Sequence, residues 1–147
     1  PANPGTDCTP LVAVEVSESA VNPGKQGILP TTVFGSPVLN LGTTAIGDRP
    51  PKMIEPGSII LEPLRPSEAC GGLGAASVDD LTNPGTYQSR LSDKNGDGFL
   101  DLGLRFEVTQ MGVQLTDTEA CLRGSFRVIP DRFFAAGFET RDNLNVK

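Results

Sequence analysis

Prolines and glycines divide this chain into short segments, and this division limits what it can fold into. The 147 residues include 13 prolines and 17 glycines, and both residues disfavour the interior of a helix. No window shows the apolar stripe of an amphipathic helix, whereas several windows alternate apolar and polar residues. We therefore predict an all-β fold, an antiparallel β-sandwich of about seven to nine short strands with long Pro/Gly-rich loops.

The strongest alternation lies in the second half of the chain. Apolar residues occupy every second position over 100–108 and again over 120–128, which predicts two half-buried strands. Pro30 predicts that a third strand, 28–34, lies at a sheet edge or begins there. Further strands are predicted over 11–17, 38–41, 58–62, 87–91 and 143–146. Loops are predicted over 47–57 and 63–86, with a single helical turn near 77–81.

The domain organisation follows from the same pattern. Residues 1–10 (PANPGTDCTP) contain three prolines and a glycine, so we predict an extended leader there. Residues 11–147 then form a single domain, which is the usual outcome for a chain of this length. We expect the leader to be held by its own domain or by a neighbouring subunit whose sheet edge it completes.

Composition argues against several classes of function. The chain has no His, no Trp and one Tyr, so imidazole chemistry is excluded and a sugar-stacking platform is poorly supplied. Its net charge is −6 and its cations are scattered, which argues against nucleic-acid binding. No apolar run approaches the length of a membrane span.

The three cysteines are Cys8, Cys70 and Cys121. They form no CxxC pair, which argues against a zinc site. One disulfide with one cysteine left over implies an oxidising compartment, and three buried thiols are the alternative. We favour Cys70–Cys121, although Cys8 could pair with either cysteine, remain free or bond another chain.

The densest chemistry lies in the stretch SDKNGDGFLDL, residues 92–102. Calcium takes six to eight oxygen ligands, and a loop that wraps it supplies them at alternate positions around a sharp turn. The predicted ligands are the side chains of Asp93, Asn95, Asp97 and Asp101, together with the backbone carbonyl of Phe99. The alternative is a polar turn, since Asn-Gly and Asp-Gly both favour hairpins. A hairpin does not require a carboxylate at every second position, so we predict bound Ca²⁺.

This loop differs from an EF-hand at its twelfth position. Leu104 stands where the EF-hand has a bidentate Glu, and a strand rather than a helix follows. The loop resembles the DxDxDG-type calcium loops that join β-strands in integrin-type propeller blades and other secreted modules. Further oxygens must then come from water or from elsewhere, and the candidates are Asp79, Asp80, Asp117 and Glu119.

The wider chain resembles a recurrent bacterial secreted module. The resemblance rests on four stretches in order, the first two being ILPTTVFGS (28–36) and IEPGSIILEPL (54–64). The others, DKNGDGFLDLGLRFEV (93–108) and DTEACLRGSF (117–126), are the more specific. The region around Cys70 departs from the pattern. The resemblance implies an extracellular or cell-surface β-domain, appended to exported proteins, with no assigned catalysis.

The expected function is therefore a non-catalytic, calcium-stabilised extracellular β-domain with a structural, adhesive or self-assembly role. A subunit of a surface filament or sheath is a special case, in which the partners are further copies or other cell-surface components. The alternative is a calcium-dependent carbohydrate-binding module. A hydrolase using Glu107 and Glu119 is disfavoured, because both are better explained as strand residues that face the solvent. Three arginines are likewise predicted to be exposed strand residues that pair with acids: Arg105, Arg123 and Arg127.

Overall fold

The computed structural model describes residues 13–16, 21–22, 27–37, 39–44, 52–55, 58–63, 74–128 and 135–146, without the side chains at 127–128, 135–137 and 139. Nine strands and two short helices lie within these ranges. They are β1 (Ala13–Val16), β2 (Ile28–Phe34), β3 (Lys52–Ile54), β4 (Ile60–Pro63), β5 (Ala75–Ala76), α1 (Pro84–Ser89), β6 (Leu91–Ser92), β7 (Asp101–Glu107), α2 (Val108–Met111), β8 (Glu119–Val128) and β9 (Ala135–Asn143).

The strands form two antiparallel sheets. The first has the order β1-β2-β7-β6. In the second, β8 is central and pairs with β9 over nine residue pairs from Glu119↔Asn143 to Arg127↔Ala135. Strands β3 and β4 pair with successive parts of β8, and β5 pairs with β4. The predicted all-β, sandwich-like class is therefore confirmed.

Apolar residues of both sheets form one hydrophobic core. The two predicted alternations supply much of it, because Leu102, Leu104 and Phe106 of β7 are at most 1 % exposed. On β8, Ala120, Leu122 and Phe126 are buried as well. The sequence pattern thus identified the inward faces of both long strands.

Strand β2 is not an edge strand, which corrects the prediction made from Pro30. It pairs with β1 through Thr31–Phe34 and with β7 through Ile28–Val33. The β1 pairing ends at Thr31, one residue before Pro30. Pro30 lacks an N–H group, and it lies just beyond the last position at which β1 is paired with this strand.

Tyr87 lies in helix α1 rather than in the strand predicted over 87–91. The side chain of Asn83 accepts from the N–H groups of Gly85 and Thr86, and Pro84 opens the helix. An Asn N-cap followed by Pro at the first position is a helix-start signal. This local signal outweighs the β propensity of a tyrosine, and only Leu91–Ser92 remain as a strand.

Other predicted boundaries were also wrong. Strand β3 lies inside the predicted loop 47–57, the predicted strand at 58–62 begins only at Ile60, and the short β5 lies inside the predicted loop 63–86. Residues 39–41 form no strand, although Leu39 and Leu41 are buried. The last strand covers 135–143 instead of 143–146, and no helical turn forms at 77–81. The predicted leader, 1–10, lies outside the described residues.

Candidate functional site

The acidic loop connects two paired strands of the first sheet. Ser92 of β6 pairs with Asp101 of β7, so residues 93–100 close a β-hairpin at one end of that sheet. The turn is longer than the two-residue hairpin that a single Asn-Gly would form. The loop therefore needs its own side chains to hold the backbone in place.

Asp93 organises the first half of the loop. Its Oδ1 accepts from the N–H of Gly96 at 2.9 Å, and its Oδ2 accepts from the N–H of Gly98 at 2.8 Å. Both glycines have positive φ, 77° and 91°, a conformation that other residues adopt rarely. The sequence places glycine where the backbone must turn toward the Asp93 carboxylate.

Asn95 and Asp97 make the same local bond, each to the residue two positions later. Oδ1 of Asn95 accepts from the N–H of Asp97 at 3.3 Å, and Oδ1 of Asp97 accepts from the N–H of Phe99 at 2.9 Å. Such turns are typical of Asn and Asp side chains. A carboxylate has about four lone-pair sites, so these acids retain acceptor capacity for another partner.

Asp101 differs from the other predicted ligands in its burial and in its hydrogen-bond partners. It is fully buried, its Oδ2 accepts from the N–H of Lys94 at 2.7 Å, and its Oδ1 accepts from the N–H of Gly35 at 2.8 Å. It thus joins the acidic loop to the chain that follows β2. Asp101 serves the fold through these two bonds, independently of any ion.

The second half of the loop is fastened to residues 42–44. Thr44 donates its N–H to the carbonyl of Gly98 at 3.1 Å, and Leu100 donates to the carbonyl of Gly42 at 2.8 Å. Thr43 and Phe99 are therefore directly opposite each other. In an antiparallel pair with this pattern, the N–H and carbonyl of Phe99 point away from Thr43. The carbonyl predicted to bind a cation faces the side on which Phe99 meets the Asp97 carboxylate.

The other acids proposed as ligands have partners of their own or lie at strand ends. Asp79 binds Arg105 through Nη2 at 2.5 Å and lies 3.6 Å from Nε of Arg90. Asp80 accepts from the N–H and hydroxyl of Thr82. Asp117 is buried and accepts from the N–H of Gln114 at 2.6 Å. Glu119 is exposed at the start of β8.

No three acidic or Cys side chains among the described residues form a group that could hold a metal ion. The loop of this structure is closed by hydrogen bonds to its own amides. The ligand set therefore stays a prediction.

Two outward arginines pair with acids, as their positions on the strands predicted. Arg105 binds Asp79, and Arg123 Nε lies 3.6 Å from Glu62 Oε1. The Arg127 side chain lies outside the described residues. Glu107 and Glu119, the disfavoured hydrolase pair, belong to different sheets.

Cys121 is fully buried on β8, opposite Glu62 of β4 and Arg141 of β9. Cys8 and Cys70 lie outside the described residues, so the Cys70–Cys121 pairing stays a prediction.

A groove that the sequence did not predict borders strand β1. Among the described strands, none pairs with the β1 edge opposite β2. The Val16 N–H on that edge donates instead to Oδ2 of Asp142 at 2.7 Å. The groove has a volume of about 500 Å³, and it is lined by Val14, Glu15, Val16, Phe34, Asp142, Asn143 and Asn145.

Comparisons with family models, curated proteins and solved structures give no match to this chain. Across the part of the chain that the structure describes, no helix has the length and apolar character needed to cross a membrane.

Proposed function

We propose that this protein is a non-catalytic, calcium-stabilised β-domain of the extracellular space or cell surface, with a structural, adhesive or self-assembly role. The observation that carries the proposal is the position of the acidic loop. It closes the β6–β7 hairpin, its residues Gly98 and Leu100 bond the 42–44 segment, and Asp101 at its end accepts from Gly35. An ion in this loop would stabilise the hairpin together with both of these links.

The residue types in the loop fit a hard, oxygen-preferring cation. Asp93, Asn95 and Asp97 offer side-chain oxygens, and the Phe99 carbonyl points away from the paired Thr43. Calcium accepts such mixed carboxylate, amide and carbonyl sets with flexible geometry, whereas Mg²⁺ demands a near-ideal octahedron. The described residues assemble no complete group of acids, so we expect the loop to change its conformation when the ion binds.

The stabilisation expected from calcium is modest but measurable. An ion that binds only the folded state adds about 2.7 kcal/mol at a hundredfold excess over Kd. Weak extracellular sites have Kd values of about 0.1–1 mM, so millimolar calcium should add less, about 0.4–1.4 kcal/mol. That gain is a useful fraction of the 5–15 kcal/mol of a typical domain.

A calcium titration of thermal stability tests the site. The parent protein should gain Tm from EDTA to millimolar calcium, by about 2–4 °C per kcal/mol, and Asp97→Ala should gain much less. Glu107→Ala is the matched control, because it removes an exposed carboxylate at the far end of β7 that is not among the predicted ligands. Equal gains in the parent and in Asp97→Ala would remove the ion from the proposal.

The extracellular location rests on the resemblance to secreted bacterial modules and on the predicted disulfide. The self-assembly role draws support from the β1 edge that none of the described strands covers, and from the groove beside it. An unpaired strand edge can accept an extended segment through backbone hydrogen bonds. We propose residues 1–10 of another copy as this segment, in the special case of a filament or sheath.

Light scattering and electron microscopy, in calcium and then in EDTA, test self-assembly. Assemblies that require calcium and disappear when residues 1–10 are deleted would support the filament role. A monomer under both conditions would leave a calcium-stabilised domain without that role.

The alternative is a calcium-dependent carbohydrate-binding module, in line with the calcium loop of a sandwich-like fold. The single tyrosine of the chain is buried in α1, so it offers no stacking surface for a sugar. Calcium-dependent retention of a glycan on an array, lost with chelator, would favour this alternative.

A further inference from the structure

We infer that the acidic loop modifies itself at the Asn95–Gly96 bond, where the amide of Asn95 is converted to a carboxylate through a cyclic succinimide. The chain has seven asparagines, and Asn95 alone precedes a glycine. Asn3, Asn22 and Asn83 precede proline, and Asn40, Asn143 and Asn145 precede leucine or valine. Proline has no N–H to react, and a branched side chain crowds the next backbone nitrogen.

The nucleophile of this reaction is the backbone nitrogen of Gly96. Both Asn95 and Gly96 are exposed, and nothing lies within 4 Å of the point where a Gly96 side chain would begin. The Gly96 N–H donates to Oδ1 of Asp93 at 2.9 Å. The carboxylate that must receive the proton as the nitrogen attacks is therefore already in hydrogen-bond contact with it.

The electrophile is the side-chain carbonyl of Asn95. Its Oδ1 accepts from the N–H of Asp97 at 3.3 Å, so a donor faces the oxygen on which negative charge develops. A donor placed at such an oxygen favours a tetrahedral intermediate. The loop thus contains three groups that the reaction uses. The Gly96 nitrogen is the nucleophile, the Asp93 carboxylate accepts the proton, and the Asp97 N–H donates a hydrogen bond to the developing oxyanion.

The chemistry balances without an oxidant or reductant. The Gly96 nitrogen bonds to Cγ of Asn95 while its proton passes to Asp93, and the bond from Cγ to the side-chain nitrogen breaks. The departing nitrogen leaves as ammonia and takes that proton. Water then opens the ring at one of its two carbonyls. The product is either aspartate or isoaspartate, in which the backbone runs through the former side chain.

The two products should affect the loop in opposite ways. Aspartate at position 95 adds a carboxylate to the cation ligands, and ligand charge is one factor that sets calcium affinity. Isoaspartate lengthens the backbone by one atom and so displaces Gly96 from Asp93. This consequence rests on the proposed calcium site, whereas the modification itself does not.

Incubation of the protein in EDTA at mildly alkaline pH, followed by peptide mass spectrometry, tests the inference. We expect Asn95 to convert first among the asparagines, and faster in the folded protein than in a synthetic peptide of residues 90–101. Asp93→Asn leaves one side-chain oxygen, which can accept from Gly96 or from Gly98 but not from both, and it removes the proton acceptor. It should slow the conversion about tenfold, less than the effect of a preorganised enzymic base.

A folded-protein rate equal to or below the peptide rate would overturn the inference, and so would an unchanged rate in Asp93→Asn. Circular dichroism of that variant separates this outcome from loss of the fold. A parallel incubation in calcium tests the other proposal: an ion bound to Asp93 should slow the conversion. If calcium has no effect while the Asp93 dependence holds, the modification stands and the calcium site fails.

Discussion

The N–H of Gly35 donates to Oδ1 of Asp101 across 2.8 Å, although 66 residues separate them. The other oxygen of the same carboxylate accepts from the N–H of Lys94 at 2.7 Å. One buried side chain therefore satisfies two backbone donors, one in the segment that follows β2 and one in the acidic loop. This arrangement gives Asp101 a structural role that its place in a calcium motif does not suggest.

Removal of this carboxylate should destabilise the protein even without calcium. Asp101→Ala leaves the N–H groups of Gly35 and Lys94 without their acceptor, and each such loss costs about 1–3 kcal/mol. Because Lys94 is an exposed residue, water can replace part of its lost bond, and we expect a total of about 2–4 kcal/mol. The measurement is urea denaturation in EDTA.

Asp97→Ala is the control for that experiment. Its carboxylate is exposed and, among the described residues, accepts only from the N–H of Phe99, so its loss should cost under about 1 kcal/mol in EDTA. An Asp101→Ala protein as stable as Asp97→Ala in EDTA would contradict the structural role.

Gly35 lies so close to the backbone of Leu100, just before β7, that no side chain fits at this position. A Cβ atom on Gly35 would lie 2.1 Å from the backbone carbonyl oxygen of Leu100. Gly35→Ala must therefore push apart the backbone segments that contain Gly35 and Leu100. We expect a loss of at least about 1–3 kcal/mol, together with a weaker bond to Asp101. Gly27→Ala is the matched control near the start of β2, because nothing lies within 4 Å of its Cβ position. Equal urea midpoints for the two variants would contradict this account.

The sequence predicted the strands in which apolar and polar residues alternate. In strands β7 and β8 the alternating apolar positions are buried as predicted, but Asp101 and Cys121, which occupy the positions between them, are buried as well. The pattern also predicted the acidic loop between strands. The pattern could not predict that the Asp101 side chain is buried. Its hydrogen-bond partner is the backbone N–H of Gly35, which is distant in sequence and belongs to a residue without a polar side chain.

Tertiary contacts or local capping interactions determine where the shorter strands and helices form. Strand β3 has only three residues and forms because β8 offers it a partner. Helix α1 could have been recognised from Asn83-Pro84, since an N-cap and a first-turn proline outweigh the propensity of the residues after them. The groove beside β1 depends on Asp142, more than a hundred residues from the strand that it caps.

The cysteine pairing is tested by counting thiols. If Cys70 and Cys121 are joined, the denatured parent exposes one reactive thiol, that of Cys8. Cys8→Ser should then expose none, while Cys70→Ser and Cys121→Ser should each expose two. Thiol titration under non-reducing conditions gives the count, and three thiols in the parent would exclude the disulfide altogether.

The ion pair of Asp79 with Arg105 predicts a loss of stability in acid. The hydrogen bond from Arg105 lowers the pKa of Asp79 below its ordinary value of 3.8, and this effect outweighs the opposing effect of burial. Since the folded-state pKa is the lower one, the pair stabilises the fold above pH 3.8. That contribution disappears as the pH falls through the folded-state pKa.

Urea denaturation at pH values on both sides of 3.8 measures this effect. The stability difference between the parent and Asp79→Asn should shrink as the pH falls. In an Arg105→Gln background the same substitution should have a smaller and flatter effect. A pH-independent difference between the parent and Asp79→Asn would show that the pair does not control this titration.

Tyr87 provides a spectroscopic probe of the core, because it is the only tyrosine and the chain has no tryptophan. Its hydroxyl accepts from the N–H of Ile54 at 2.9 Å. Burial raises the pKa of Tyr87 to about 12, although the hydrogen bond from Ile54 acts in the opposite direction. The phenolate absorbance of the folded protein should therefore rise near pH 12, and that of the urea-unfolded protein near pH 10.

The raised pKa of Tyr87 also makes the free energy of unfolding depend on pH in alkaline solution. Tyr87 favours the folded state fully below pH 10, and its contribution declines as the pH rises through the folded value of about 12. Tyr87→Phe removes this dependence but leaves the Ile54 N–H without an acceptor, at a cost of about 1–3 kcal/mol. A phenolate that forms near pH 10 in the folded protein would show that α1 does not bury this ring against β3.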